Sequence, residues 1–211
     1  MQRDQRSSPS QSTRRGVGNI VCVAIAQAVV AWAATAFAAD PPDSLREIVQ
    51  TCASCHGADG ISAIVNTPSL AGQPDIFLQY QLVFIRDGAR KVEVMQEFAK
   101  KLTDQNIRDL GAYYSSLPPP PALASADNVD AEKATALIVP RHCDSCHKPD
   151  FSGQGESARL AGQRPEYLMK ALSDFRSGVR RGRGLGAMIE VSVTLHDQDM
   201  ELIAAYLAGK P

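Results

Sequence analysis

The chain has 211 residues, 44% of them hydrophobic and 21% charged, and its formal net charge is −1. This length corresponds to one or two domains. The near-neutral charge argues against a nucleic-acid-binding protein, because such proteins carry clusters of excess basic residues.

Residues 1–38 have the features of a secretory signal peptide. Four arginines precede an apolar run at residues 20–39, and residues 36–38 form an A-x-A cleavage site. The alternative is an uncleaved membrane anchor, because residues 17–39 as a helix would reach roughly 35 Å at about 1.5 Å per residue. The small residues at the end favour cleavage. Cleavage removes four basic residues and one acidic residue, which leaves a net charge of −4.

The sequence CASCH at residues 52–56 recurs as CDSCH at residues 143–147. C-x-x-C-H is the attachment motif of c-type haem. Residues three apart share a helix face, so each thiol can add to one haem vinyl group while the adjacent histidine lies under the iron. The pattern predicts two covalent haem c groups, with thioethers at Cys52, Cys55, Cys143 and Cys146 and iron ligands at His56 and His147.

C-x-x-C pairs also occur as zinc ligands, redox dithiols and disulfides. A four-cysteine zinc site would leave the histidine after each motif unexplained. A thioredoxin-like dithiol requires a βαβ setting, and no strand-like alternation surrounds either pair. Two complete motifs therefore favour haem, with zinc as the main alternative.

The motifs belong to two copies of one module. LAGQ follows both motifs, and L-x-D-Q lies near the end of both copies. Four prolines between the copies predict a stiff polyproline spacer. The predicted boundaries are residues 43–117 for the first cytochrome c domain, 118–129 for the linker and 130–211 for the second domain.

Each copy is predicted to fold into about three helices around its haem, so the fold class is all-α. Thr103 is the predicted N-cap of the third helix. A half of about 75 residues is marginal on core size alone, so each haem is predicted to be part of a core. The predicted helices span about 44–56, 75–87 and 104–116 in the first copy and 132–147, 165–177 and 197–208 in the second.

A second repeated feature predicts the sixth iron ligands. Met95 and Met188 each lie seven residues before the leucine of L-x-D-Q. A single methionine usually fills a gap in a core. Equivalence in both copies instead predicts that Met95 ligates the iron of haem 1, in the first copy, and Met188 that of haem 2, in the second. Met169 and Met200 lack methionine counterparts and are predicted core residues, and His196 is predicted to cap a helix or be exposed.

With these motifs the chain resembles the cytochrome c4 family of dihaem cytochromes c over residues 43–211. The resemblance implies tandem class I cytochrome c domains with His/Met-ligated irons and a periplasmic location. It also implies electron delivery from respiratory-chain donors, such as a quinol-oxidising complex, toward a terminal oxidase or reductase. Bacteria attach haem to C-x-x-C-H outside the cytoplasm, which agrees with the predicted signal peptide. An uncleaved N-terminus would instead anchor the protein at the periplasmic face.

The second copy departs from the family pattern at two positions. Family members carry a proline before LAGQ whose carbonyl orients the proximal histidine. Pro68 fits this role, but the second copy has Ala158. Gly57 follows the first motif, whereas Lys148 follows the second. Ligation of haem 2 is still expected, with different surroundings and a different potential.

The predicted function is one-electron transfer without bond chemistry, so the chain is expected to be a carrier and not an enzyme. One alternative is a dihaem electron-transfer subunit of a flavocytochrome or dehydrogenase complex. Another is a catalytic haem with an open sixth position, which the two methionines disfavour. Redox proteins are the expected partners, and no nucleic acid is. Residues 180–183, Arg-Arg-Gly-Arg, would dock an acidic partner, pair with haem propionates or form a solvated basic loop.

Overall fold

The computed structural model describes residues 40–123, 129–182 and 184–211, which lie in one compact unit. Their regular structure consists of α-helices and two short 3₁₀ segments, without a β-strand, so the all-α prediction is confirmed. The helices are α1 Arg46–His56, α2 Asp75–Arg86, α3 Glu93–Ala99, α4 Asp104–Ser116, α5 Ala131–Ile138, α6 Cys143–His147, α7 Pro165–Arg176, α8 Gly186–Val193 and α9 Asp197–Ala208.

In the first half, α2 packs against α4. Ile107 and Leu110 lie three residues apart on α4 and are buried, as the helical period of their positions predicts. Thr103 caps α4, since its Oγ1 accepts from the Asn106 backbone N–H at 3.1 Å and Asn106 Oδ1 accepts from the Thr103 N–H at 3.0 Å. This capping box fixes where the helix begins, as predicted for Thr103.

The second half repeats this arrangement. Helix α7 packs against α8 and α9, and α5 packs against α9. Met200 is completely buried in the core of this half, and Met169 packs against the same core. Both methionines are therefore the core residues that the sequence predicted.

Three features of the helices were not predicted. The short helices α3 and α8, of seven and eight residues, carry Met95 and Met188. Helices this short contain too few turns for a periodic pattern to reveal them. The helix expected at 132–147 is interrupted at His142, whose φ of 51° and ψ of 37° are left-handed, and α6 begins directly after it.

Prolines between the halves approach the LAGQ turns of both copies closely. Gly72 and Gly162 have φ values of 67° and 68°. A Cβ on Gly72 would lie 2.6 Å from Cβ of Pro119, and one on Gly162 would lie 2.6 Å from the carbonyl oxygen of Pro120. Both glycines are therefore required by backbone conformation and by close approach of the linker.

The predicted signal peptide or anchor lies outside the described residues, as do residues 124–128 of the linker. Among the helices that the structure describes, none combines the length and the apolar character needed to cross a membrane.

Candidate haem-binding sites

A continuous cavity of about 810 Å³ lies within the described unit and is lined by residues of both halves. It collects side chains from the two C-x-x-C-H motifs together with the methionines of α3 and α8. The predicted site residues that line it are Cys52, His56, Met95, Cys143, Cys146, His147 and Met188. Cys55 is the one predicted site residue outside the lining, although it is half-buried and stands in the same helix as Cys52 and His56.

The two proximal histidines are held in the same way. Nδ1 of His56 lies 2.8 Å from the Pro68 carbonyl oxygen, and Nδ1 of His147 lies 2.7 Å from that of Ala158. Because a carbonyl only accepts, Nδ1 carries the proton and donates, which leaves the Nε2 lone pair free for a metal. Burial lowers the pKa of both imidazoles despite the opposing hydrogen bonds. Both rings are therefore neutral at physiological pH, the state required of a ligand.

The departures of the second copy leave its backbone path unchanged. Lys148 adopts a φ of 66°, where Gly57 has 86°, and Phe151 adopts 57°, where Gly60 has 76°. A side chain in this left-handed region costs roughly 1–2 kcal/mol. The carbonyl of Ala158 nevertheless reaches its histidine as that of Pro68 does. The substitutions therefore add local strain without displacing the hydrogen bond to the ring.

The four motif cysteines form no disulfide with one another. Burial raises the pKa of Cys52 and of Cys143, so both are protonated at neutral pH. Within the described ranges, no three side chains of His, Cys, Asp or Glu converge as a metal-binding cluster. This geometry disfavours the four-cysteine zinc site and agrees with thiols that react with a haem.

Both methionine segments are closed by an equivalent ion pair. Arg86 at the end of α2 contacts Asp104 at 2.7 Å, and Arg176 at the end of α7 contacts Asp197 at 2.5 Å. Each pair joins the last residue of the helix that precedes the methionine segment to the first residue of the last helix in that half. Met95 and Met188 are half-buried between these fixed ends. The repeat thus places both methionines in tethered segments that face the cavity.

A cationic cluster, formed by Arg90, Arg180, Gln81 and Tyr167, also lines the cavity. Gln81 Oε1 accepts from Arg90 at 2.8 Å and from Arg180 at 2.9 Å, and Arg90 donates to the Tyr167 hydroxyl at 3.2 Å. Arg180 is 5% exposed and stacks 4.5 Å from the Phe175 ring centroid. Neither arginine forms an ion pair within the described residues.

The positive charge of this cluster affects the pKa values of Tyr167 and Arg180. Burial opposes ionisation of Tyr167, but the two guanidiniums outweigh it and lower the pKa of Tyr167 to about 8. Burial, with Arg90 adding repulsion, lowers the pKa of Arg180 to about 10. Arg180 Nε is buried without a hydrogen-bond partner in the described residues. Cations that line a cavity without a carboxylate ion pair suit an anionic group of a bound cofactor, and haem propionates have that chemistry.

The structure separates the arginines of the 180–183 segment. Arg180 is buried in the cationic cluster, so the solvated-loop interpretation is wrong for this residue. Arg181 is exposed, and Arg183 lies outside the described residues.

His142 was not among the predicted site residues. Its unusual φ interrupts the second motif helix, and its side chain lines the cavity. Its position directly before Cys143 is the sequence signal that could have identified it.

Known proteins resemble the chain over most of its length. The family "Cytochrome C oxidase, cbb3-type, subunit III" matches residues 40–113, and the family "Cytochrome c" matches residues 131–210. Cytochrome c4 of Azotobacter vinelandii is 34% identical over 176 residues, which cover 75% of this chain and 83% of the relative. The "thiosulfate dehydrogenase electron acceptor" of Thiomonas intermedia is 34% identical over 196 residues, covering 85% of this chain and 86% of the relative.

Solved structures share the fold. Reduced cytochrome c4 from Pseudomonas stutzeri superposes with a TM-score of 0.70 at 31% identity, covering 82% of this chain and 100% of that one. Thiosulfate dehydrogenase from Marichromatium purpuratum superposes with a TM-score of 0.66 at 33% identity, covering 76% of this chain and 36% of that one.

Proposed function

The chain belongs to the cytochrome c4 family and transfers electrons through two covalent haem c groups, and on that basis we propose that it is a periplasmic carrier of single electrons. Its proposed donors are respiratory-chain components such as a quinol-oxidising complex, and its proposed acceptor is a terminal oxidase or reductase. The observation that carries the proposal is the repeated site, in which each half brings a C-x-x-C-H histidine and a methionine to one cavity.

We propose one haem in each half, ligated by residues of that half. Cys52 and Cys55 form the thioethers of haem 1, and His56 and Met95 bind its iron. In the second half the equivalent residues are Cys143, Cys146, His147 and Met188. The carbonyl contacts of both histidines and the methionine helices in both halves support this assignment.

When bound at these residues, the haems would supply one-electron redox chemistry. The chain's own residues keep this change free of large rearrangements, because the thioethers fix each macrocycle and the same histidine and methionine serve both oxidation states. A methionine ligand raises the potential, which suits an acceptor for quinol-level donors. Arg90 and Arg180 are proposed to hold haem propionates, since neither guanidinium forms an ion pair with a carboxylate in the described residues.

The ligand assignment is tested on the purified holoprotein by spectroscopically monitored redox titration. Met95→Ala should remove about half of the methionine-to-iron charge-transfer absorption and lower one midpoint potential, and Met188→Ala should do the same for the other haem. Met169→Ala is the matched control, because Met169 packs against the core of the second half. If neither Met95→Ala nor Met188→Ala altered the spectrum or a potential, the axial assignment would be wrong.

A second candidate function is electron acceptance as the subunit of a dehydrogenase complex. The relative named a thiosulfate dehydrogenase electron acceptor and the thiosulfate dehydrogenase fold match favour it. Size-exclusion chromatography of the protein from its native source distinguishes the two. A stoichiometric complex with a catalytic subunit supports the second candidate, and elution as a free dihaem protein supports the carrier.

A further inference from the structure

The glutamine side chains of the two LAGQ segments form hydrogen bonds with the opposite half of the protein. Gln163 accepts from the Ser69 backbone N–H through Oε1 and donates to the Ser69 carbonyl through Nε2, both at 2.9 Å. Gln73 accepts from the Arg159 N–H at 3.0 Å and donates to the Arg159 carbonyl at 2.9 Å. All four residues are more than nine-tenths buried. The glutamine of each copy therefore binds the backbone of the opposite copy.

The peptide N–H groups that donate to the two glutamine oxygens belong to the peptide bonds that hold the proximal histidines. The Ser69 N–H and the Pro68 carbonyl belong to one peptide bond, and that carbonyl accepts from His56 Nδ1 at 2.8 Å. In the second half, the Arg159 N–H shares a peptide bond with the Ala158 carbonyl, which accepts from His147 Nδ1 at 2.7 Å. Each glutamine thus continues the hydrogen-bond chain of the other half's histidine.

Hydrogen bonds in such a chain polarise one another. A peptide N–H that donates to a glutamine oxygen makes its own carbonyl a stronger acceptor. A stronger acceptor at Nδ1 makes the ring more basic at Nε2, which favours the oxidised iron over the reduced iron. The second bond of each glutamine, to the carbonyl of the same residue, also holds Ser69 and Arg159 in place. Gln163 Oε1 accepts in addition from the Arg164 N–H at 3.0 Å.

We propose that Gln163 is a positioning residue for the His56 ligand of haem 1 and Gln73 for the His147 ligand of haem 2. Each glutamine lowers the potential of the haem in the opposite half. This inference rests on the proposed histidine ligation. It makes the contact between the halves part of each iron's environment, so a change at that contact shifts both potentials.

The test is an NMR-monitored redox titration of the holoprotein, in which the hyperfine-shifted methyl resonances of the two haems are followed separately. Gln163→Leu should raise the potential of haem 1, changing its reduced-to-oxidised ratio at fixed ambient potential by about threefold, or about 30 mV for one electron. Haem 2 should change less. Gln73→Leu should give the reverse pattern. The matched controls are Gln105→Leu and Gln198→Leu, at exposed repeat-equivalent positions.

Leucine leaves the backbone groups of Ser69 or Arg159 buried without a partner, so Gln163→Asn and Gln73→Asn are made in parallel. Their shorter amides withdraw from the peptide but keep the interface polar. Three outcomes would overturn the inference: a larger potential shift in the haem of the glutamine's own half, equal potential shifts in both haems, or no shift of either potential. The wild-type spectrum separates this from failure of the proposed function, because methionine-ligated iron at both haems must be present before the variants are compared.

Discussion

The guanidinium groups of Arg90 and Arg180 donate to the same Gln81 oxygen. The two arginines occupy equivalent positions in the repeat, and their backbones form an isolated antiparallel β-bridge. Their equivalence follows from the repeat, but their meeting does not. Two guanidiniums, that of Arg180 buried and that of Arg90 half-buried, share one neutral amide oxygen, and neither forms an ion pair with a carboxylate among the described residues. This pair of cations suits the anionic propionates that Arg90 and Arg180 are proposed to hold.

Removing this charge should lower the haem potentials. Arg180→Leu takes away a positive charge that disfavours the oxidised iron, and the midpoint potential should therefore fall. Two unit charges about 10 Å apart interact by roughly 1–2 kcal/mol at an effective dielectric constant of about 20. Potentiometric titration of the holoprotein measures it. Arg181→Leu is the control, because Arg181 is the exposed neighbour. Equal potentials in Arg180→Leu and wild type would show that the charge of Arg180 does not influence the haem potentials.

The Arg86–Asp104 pair should make stability fall in acid. The hydrogen bond and charge of Arg86 lower the pKa of Asp104 below its ordinary value of 3.8. The ionised carboxylate therefore stabilises the fold above that ordinary value, and the contribution is lost as pH falls through the lower folded pKa. Asp104→Asn should lower the melting temperature at pH 6 more than at pH 3. Asp43→Asn, in the exposed pair with Arg46, should change little, and an identical pH dependence of wild type and Asp104→Asn would contradict the expectation.

Lys148→Gly should stabilise the second half. The residue sits at a φ of 66°, where a side chain costs roughly 1–2 kcal/mol, partly offset by the greater freedom of glycine in the unfolded chain. Denaturant unfolding of the holoprotein should show a gain on the order of 1 kcal/mol. Lys133→Gly in α5 is the opposite control and should lose about 1 kcal/mol. A loss of stability in Lys148→Gly would show that its side chain makes a contact worth more than the strain.

Replacing Gly155 and Gly162 by alanine should distinguish the destabilisation caused by backbone strain from that caused by a clash with the linker. Gly155 has a φ of 51° and open space within 4 Å of where a Cβ would stand, whereas a Cβ on Gly162 would meet the Pro120 oxygen at 2.6 Å. Gly155→Ala should cost about 1 kcal/mol. Gly162→Ala adds a clash with the linker and should cost about 1–3 kcal/mol more. Thermal unfolding compares the two, and equal losses would mean that the prolines move aside freely.

The fold class and the helices with long periodic patterns followed from the sequence. The burial of Leu110 and Met200 could be predicted from the spacing of apolar residues along their helices. The helix cap at Thr103 could be predicted because it depends only on local hydrogen bonds. The helices of Met95 and Met188 escaped prediction because seven or eight residues give no period to detect. The break at His142 was not predicted because residues other than glycine adopt a left-handed conformation in only a few cases, so the residue type alone did not indicate it.

Repetition of short motifs by itself determined the haem chemistry, because C-x-x-C-H and an equivalent methionine are local patterns whose function depends on residue type and spacing. Only the tertiary structure decided what the two copies do to each other. The crossing of Gln73 and Gln163 joins residues more than 80 positions apart, and the meeting of Arg90 and Arg180 joins residues 90 positions apart. Such contacts depend on how two similar surfaces pack, and no pattern within either copy encodes that packing.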